Sequence, residues 1–117
     1  MRHRNKVKTL DRAKGPRELM LRNLASSVLI YEKVKTTQAK AKAVKPLVER
    51  MITLAKKGDL NSRRAIIQVL LQKKAIQKSM EVLGARYKAR AGGYTRTIKL
   101  GNRQGDGAEM VQLELVK

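Results

Sequence analysis

The segment best suited to chemistry is Arg90-Ala91-Gly92-Gly93-Tyr94-Thr95-Arg96, in which two adjacent glycines lie between two arginines. Paired glycines let a backbone approach phosphate or sugar closely, and arginine offers a planar fork that matches phosphate oxygens. Tyr94 could stack on an unpaired base or a ribose, or it could pack in the core where the loop enters a strand. We predict RNA contact for Arg90 and Arg96, and both alternatives stay open for Tyr94.

Catalytic chemistry lacks the necessary side chains. The chain has no cysteine and one histidine, His3, which has no carboxylate or second histidine near it in the sequence. A nucleophile with its base, or a metal site, needs such groups together. Asp106 and Glu109 are close in sequence, but a turn explains them better than a metal site does. We expect no enzymatic activity, no metal, no cofactor and no small-molecule substrate.

The charge balance indicates a polyanionic partner. The 28 lysines and arginines oppose 9 acidic residues, which gives a formal net charge of +19 over 117 residues. Such a surface repels itself unless a polyanion neutralises it. Residues 1–17 carry seven basic residues against Asp11 alone, and residues 86–105 carry six with no acidic residue. The charge predicts nucleic-acid binding by two separate basic segments.

The first elements that would position these segments follow from apolar periodicity. A helix over about 16–31 opens at Gly15-Pro16, and its spacing predicts a buried face formed by Met20, Leu21, Leu24, Val28 and Tyr31. The alternating residues 33–37 predict an edge strand. Thr37 can cap a second helix that Gly58 ends, with an apolar stripe of Val44, Leu47, Val48, Met51, Leu54 and Ala55. Pro46 predicts a kink or a division into two helices.

Two further helices follow. Asp59 or Asn61 can cap the third helix, and residues 65–71 are apolar on most sides, which predicts a central position for it. Lys73-Lys74 is expected to break the pattern. A short fourth helix comes next, and Gly84 is a plausible terminator.

The last elements form a hairpin. Alternation over 94–100 and 108–116 predicts two strands, with Gln104-Gly105-Asp106-Gly107 as the turn. The order is helix, strand, three helices and a C-terminal β-hairpin, which is the α+β class. We divide the chain into a basic RNA-binding extension over 1–15, expected to become ordered only on RNA, and a single domain over 16–117.

In the order and spacing of its segments the chain closely resembles the bacterial large-subunit ribosomal protein seventeen family over essentially its full length. The matching stretches are Met1-Arg2-His3-Arg4, Leu10 and Arg12, Arg22-Asn23-Leu24, Lys35-Thr36-Thr37, Lys40-Ala41-Lys42, Ile52-Thr53-Leu54-Ala55-Lys56, Arg63-Arg64, Gly92-Gly93-Tyr94-Thr95-Arg96, Gly105-Asp106 and Glu114-Leu115-Val116. The resemblance implies a small mixed three-stranded sheet packed on helices. It also implies binding to large-subunit ribosomal RNA on the solvent side near the exit of the peptide tunnel, beside neighbouring large-subunit ribosomal proteins, in the cytoplasm.

The expected RNA-contacting residues lie in the two basic segments and at the start of the first helix. They are Arg2, His3, Arg4, Lys6, Lys8, Arg12, Lys14, Arg17, Arg22, Arg86, Arg90, Gly92, Gly93, Tyr94, Arg96, Lys99 and Arg103. A DNA-binding architectural protein is the main alternative, because the same charge permits it. A membrane-active protein is a further alternative, which the sequence disfavours because its basic residues lie mostly in loops rather than along one helix face. Its longest apolar run is also far shorter than the roughly 20 residues that span a bilayer.

Overall fold

The computed structural model describes residues 8–116. Its elements are α1 (Lys14–Tyr31), β1 (Lys33–Thr37), α2 (Gln38–Lys57), α3 (Leu60–Val69), a composite helix α4, β2 (Thr95–Asn102) and β3 (Glu109–Leu115). Helix α4 joins an α-helical segment Lys73–Lys78, a π-helical segment Ser79–Leu83 and a final α turn Gly84–Arg86. The predicted order of elements and the α+β class are confirmed. The predictions for Arg2, His3, Arg4 and Lys6 fall outside the described residues.

The three strands form one antiparallel sheet in the order β1-β3-β2. The mixed sheet that the resemblance implied is wrong, because β2 and β3 form a hairpin, which must be antiparallel, and β1 also runs opposite to β3. In the central strand Val111, Leu113 and Leu115 are buried against the helices. Side chains alternate between faces, so Gln112 and Glu114 lie on the opposite face, which we call the outer face.

Helix α1 buries most of the predicted face, since Val28 is buried and Leu21 and Leu24 pack against the core, but the face differs at its C-terminal end. Ala25, Ser26, Val28 and Leu29 are buried, whereas Tyr31 is 71% exposed. The prediction for Tyr31 is therefore wrong. The buried residues include Ala25 and Ser26, which the periodicity of large apolar side chains does not register.

Helix α2 begins and ends where the sequence predicts. The backbone N–H of Lys40 donates to Thr37 Oγ1 at 3.4 Å, and Gly58 ends the helix with a left-handed φ of +68°. Pro46 lies inside one helix of 20 residues, so of the two predicted alternatives, a kink or a division into two helices, the division is wrong. The helix is held by its buried apolar stripe, including Val44 and Val48, which compensates for the hydrogen bond that proline removes.

Helix α3 is peripheral, and its predicted central position is wrong. Asp59 is the cap, since its Oδ1 accepts a hydrogen bond from the backbone N–H of Ser62 at 2.7 Å. The buried residues of this helix are Ser62 and Ile66, while Leu60 and Ile67 are 60% and 46% exposed. The helix packs on α2 with one face, so Leu60 and Ile67 face outwards.

Two predictions for α4 are also wrong. The break falls at residues 70–72, and Lys73 and Lys74 open the helix instead of interrupting it. Gly84 does not end the helix, because its φ of −57° is ordinary right-handed helix. A Cβ on Gly84 would lie 2.8 Å from the carbonyl oxygen of Ala55. Glycine is needed there for the close approach of α4 to α2.

Candidate nucleic-acid interface

The glycine-rich loop between α4 and β2 is bracketed by two buried tyrosines. Tyr87 and Tyr94 are each 2% exposed, and their rings pack with centroids 5.2 Å apart at a tilt of 55°. The Tyr87 hydroxyl donates to the carbonyl of Val116, and the backbone N–H of Val116 donates to the Tyr94 carbonyl at 2.8 Å. Residues 88–93 are exposed. We call them the basic loop; it is anchored at both ends and open to solvent between.

Burial of Tyr94 decides between the two alternatives left open by the sequence. Its ring belongs to the hydrophobic core and offers no free face to a base, so base stacking by Tyr94 is wrong for this fold. Its hydroxyl instead accepts a hydrogen bond from Lys56 Nζ at 2.9 Å. Burial raises the pKa of Tyr94, but hydrogen bonds from Lys56 and Thr53 outweigh burial and bring the pKa below its usual value. Tyr94 acts as an anchor for the loop.

Lys56 is a positioning residue that the sequence did not single out. From α2 its ammonium also donates to the carbonyl of Arg90, so one cation ties the loop's backbone to the Tyr94 hydroxyl. The spacing of 34 residues between Lys56 and Arg90 leaves no local signal. At the loop's end, Thr95 Oγ1 donates to Glu49 Oε1 of the same helix at 2.9 Å.

Arg90 shapes the basic loop with its own side chain. Its Nε donates to the carbonyls of Gly92 and Gly93, both at 3.2 Å. Gly93 has a φ of +61°, a conformation that glycine adopts without steric cost. Arg90 itself is exposed. The loop therefore presents a bent glycine backbone beside a guanidinium group, which is a suitable arrangement for a phosphate.

Three other predicted arginines are paired with acids. Arg86 bonds Glu32, Arg96 bonds Glu114, and Arg103 bonds Asp106. The hydrogen bond from Arg103 holds the pKa of the Asp106 carboxyl well below its usual range. These ion pairs orient the guanidinium groups. They also reduce the net positive charge that the sequence of residues 86–105 suggests. Among residues 8–116, Lys88 and Arg90 of the basic loop and Lys99 of β2 have no carboxylate within 4.0 Å.

A second basic surface lies where the extension meets α1 and α2. A concavity there is lined by Lys8, Arg17, Glu18, Leu21, Lys42, Ala43 and Pro46. The structure brings the predicted residues Lys8 and Arg17 together and adds Lys42, which is not among the predicted RNA-contacting residues. Arg12, Lys14 and Arg22 lie in the same part of the chain, and Arg12 Nη1 donates to the Leu10 carbonyl at 2.7 Å.

Neither a metal centre nor a membrane span is found in the described part of the chain. No group of three or more His, Cys, Asp or Glu side chains in that part is placed to hold a metal ion. No helix within residues 8–116 is long and apolar enough to cross a bilayer. The described surface offers exposed cations and glycine backbone on an α+β frame.

Comparison with known proteins defines the class. The family model described as ribosomal protein L17 matches residues 20–116. A Hydrogenobaculum protein named large ribosomal subunit protein bL17 is 48% identical over 118 residues, covering 100% of both chains. A protein of the same name from Moorella thermoacetica is 50% identical over 107 residues, covering 92% of this chain and 96% of its own. A third, from Syntrophotalea carbinolica, is 48% identical over 117 residues, covering all of this chain and 76% of its own.

Together with the fold and the basic surfaces described above, these matches identify the chain as a ribosomal protein. The chain belongs to the ribosomal protein L17 family. The resemblance inferred from the sequence is confirmed.

Proposed function

We propose that this protein is a structural component of the large ribosomal subunit that binds the subunit's RNA and performs no reaction. The observation that carries the proposal is the basic loop, which Tyr87, Tyr94 and Lys56 hold rigid while its glycines and Arg90 face solvent. A preformed loop loses little conformational entropy on binding. Family membership supplies the ribosome as the setting.

The basic loop would bind the RNA backbone rather than read bases. Lys88, Arg90 and Lys99 are exposed and can contact phosphates, and the backbone at Gly92 and Gly93 can approach them closely because no side chain intervenes. Arg96 and Arg103 are oriented by Glu114 and Asp106. The loop thus recognises RNA by shape and charge.

The second basic surface would hold another RNA segment. Lys8, Arg17 and Lys42 line one concavity, and Lys8 belongs to the N-terminal extension. We propose that residues 1–15, including Arg2, His3, Arg4 and Lys6, follow this RNA and become ordered on it. The domain 16–117 would then set the distance between two RNA contacts.

The finer placement is also part of the proposal. Following the family resemblance, we place the protein on the solvent side of the large subunit near the exit of the peptide tunnel, among neighbouring large-subunit ribosomal proteins in the cytoplasm. Sedimentation of a lysate that contains a tagged chain tests the setting. We expect the chain in the large-subunit and ribosome fractions at low and moderate salt. Recovery only among slow-sedimenting free proteins would overturn the proposal.

A binding assay tests the RNA preference itself. The protein should bind large-subunit ribosomal RNA more tightly than duplex DNA of equal length at the same salt concentration, because its loop suits folded RNA rather than a regular groove. Equal or tighter binding to duplex DNA would favour the architectural DNA-binding alternative. Protein–RNA crosslinking in purified subunits then checks the site, with crosslinks expected at the basic loop.

A further inference from the structure

We propose that Tyr31 is a stacking platform for an unpaired RNA nucleotide, with Lys33 and Arg96 holding the adjoining phosphates at the outer face of the sheet. This inference rests on the proposed RNA binding and deepens it, since it names single-stranded RNA as the ligand of one site. Neither the charge pattern nor the family matches assigns a role to Tyr31.

The placement of the aromatic residues motivates the proposal. The chain has three tyrosines and no phenylalanine or tryptophan. Tyr87 and Tyr94 are buried, while Tyr31 is 71% exposed at the last position of α1. An aromatic ring left in water gives up most of the stabilisation that its burial would supply. Stacking on a base recovers that contact in the complex.

The turn after Tyr31 places it beside a row of charged side chains. Glu32 has a left-handed φ of +65° and ends α1, so the chain enters β1 at once. In the sheet Lys33 pairs with Glu114, which pairs with Arg96. These three residues therefore form one row across the outer face. A concavity at this row is lined by Tyr31, Glu32, Lys33, Arg96, Glu114 and Leu115.

The two carboxylates in this concavity are already neutralised from within the protein. Glu32 bonds Arg86 and lies 3.2 Å from Lys78 Nζ. Glu114 accepts from Arg96 and from Gln112 Nε2, the latter at 2.9 Å, and its side chain is 6% exposed. The Arg96 side chain remains 62% exposed, and Lys33 is exposed. The site therefore offers a free ring flanked by two accessible cations.

This combination selects single strands over duplexes. In a duplex the faces of the bases are covered by their neighbours, so a ring on the protein surface has nothing to stack on. An unpaired nucleotide offers both a face for Tyr31 and phosphates for the cations. A neighbouring protein that covered Tyr31 would use the ring but would not require Lys33 and Arg96 together.

Fluorescence anisotropy with two probes of equal length tests the proposal. The probes are a single-stranded eight-nucleotide oligoadenylate and an RNA duplex of eight base pairs, measured at one salt concentration with the full chain. We expect Tyr31→Ala to weaken binding of the single strand at least fivefold and binding of the duplex less than twofold. Tyr31→Phe should keep wild-type affinity. Leu19→Ala is the matched control, because Leu19 is also on α1 and 50% exposed, and it should change neither affinity.

The outcomes separate this inference from the proposed function. If wild-type protein binds large-subunit RNA but Tyr31→Ala binds the oligoadenylate as well as wild type does, the stacking site is wrong and the proposed function stands. If wild-type protein does not prefer RNA to duplex DNA, the proposed function fails. Ultraviolet crosslinking in purified subunits gives a second readout. A Tyr31–nucleotide adduct supports the site, and a Tyr31–peptide adduct overturns it.

Discussion

Glu32 accepts a hydrogen bond from Arg86, which follows it by 54 residues. The same carboxylate pairs with Lys78, and Lys78 Nζ also donates to the Ile30 carbonyl at 2.6 Å. One acidic side chain at the end of α1 thus connects two turns of α4. Because both partners are cations, the contact also lowers the local repulsion in a chain of net charge +19.

Replacing Glu32 by glutamine should make folding stability respond differently to pH. The hydrogen bond from Arg86 lowers the pKa of Glu32 from 4.5, so its ionised form stabilises the native state above that pH, and the contribution is lost as the pH falls through the folded pKa. We expect Glu32→Gln to lower the free energy of unfolding by about 0.5–1 kcal/mol at pH 7. Urea unfolding from pH 7 to pH 3 should show the difference shrinking below pH 4.5. A constant difference would contradict this assignment.

Tyr94 variants should affect stability first. Tyr94→Ala removes a buried ring, which should cost about 3–5 kcal/mol and leave little folded protein. Tyr94→Phe keeps the ring and loses the hydrogen bond from Lys56, so the free energy of unfolding should fall by about 1 kcal/mol. RNA affinity of Tyr94→Phe should stay within twofold of wild type, because the hydroxyl faces the protein. Thermal unfolding measures stability, and filter binding measures RNA affinity. A large loss of RNA affinity in Tyr94→Phe with unchanged stability would show that the hydroxyl contacts RNA after all.

Alanine should destabilise the protein more at Gly84 than at Gly15, although both glycines are helical. Gly84→Ala places a Cβ 2.8 Å from the Ala55 carbonyl oxygen, and because that oxygen is backbone, α2 and α4 must move apart. We expect a loss of roughly 1–3 kcal/mol. Gly15→Ala in α1 meets nothing within 4 Å apart from its chain neighbours. Because the higher helix propensity of alanine opposes the steric restriction before Pro16, stability should change by less than about 1 kcal/mol. Chemical denaturation measures the free energy of unfolding of both variants. Equal changes would show that the close contact between α2 and α4 does not cause the loss.

Salt dependence should distinguish loop cations from other surface cations. If the protein neutralises on the order of 6–10 phosphates, binding to large-subunit RNA should weaken by several decades between about 50 and 200 mM salt. Arg90→Ala should weaken binding and reduce the slope of log affinity against log salt by about 1. Lys74→Ala, an exposed position outside the proposed interface, should leave the slope unchanged. Equal salt slopes for the two variants would contradict the proposed phosphate contact of Arg90.

Local signals predicted much of the frame correctly. Caps at Thr37 and Asp59 and the terminator Gly58 depend on neighbours within a few residues, so the sequence shows them directly. Contacts across the fold leave no such trace. Burial of Tyr94 depends on Tyr87, on Val116 and on Lys56, which is 38 residues away. Tyr31 is exposed, although the periodicity of the first helix predicts that it is buried.

The same limit applies to the charged residues. Counting charges predicted a continuous cationic segment over 86–105. In the structure, Arg86, Arg96 and Arg103 each pair with a different carboxylate, that of Glu32, Glu114 and Asp106 respectively. Counting charges cannot show which cations already have a carboxylate partner within the protein. Family membership, in contrast, was recognisable from short sequence motifs and their order along the chain, because recognising a motif requires no knowledge of packing.

The π-helical segment Ser79–Leu83 gives α4 room for one residue more than a regular helix would hold. The backbone N–H of Gly84 donates to the carbonyl of Ser79, five residues earlier, so this turn holds one more residue than an α turn. Because the wide turn takes up the extra residue locally, the helical segments on either side keep nearly the phase of one continuous helix, and Lys78 and Arg86 both reach Glu32. Deleting one residue inside the turn would restore regular α-helix and leave that phase nearly unchanged, whereas deleting one residue from Lys73–Lys78 would rotate the residues before it by about 100°. A lost codon is therefore tolerated in one turn of this helix and not in the turn before it.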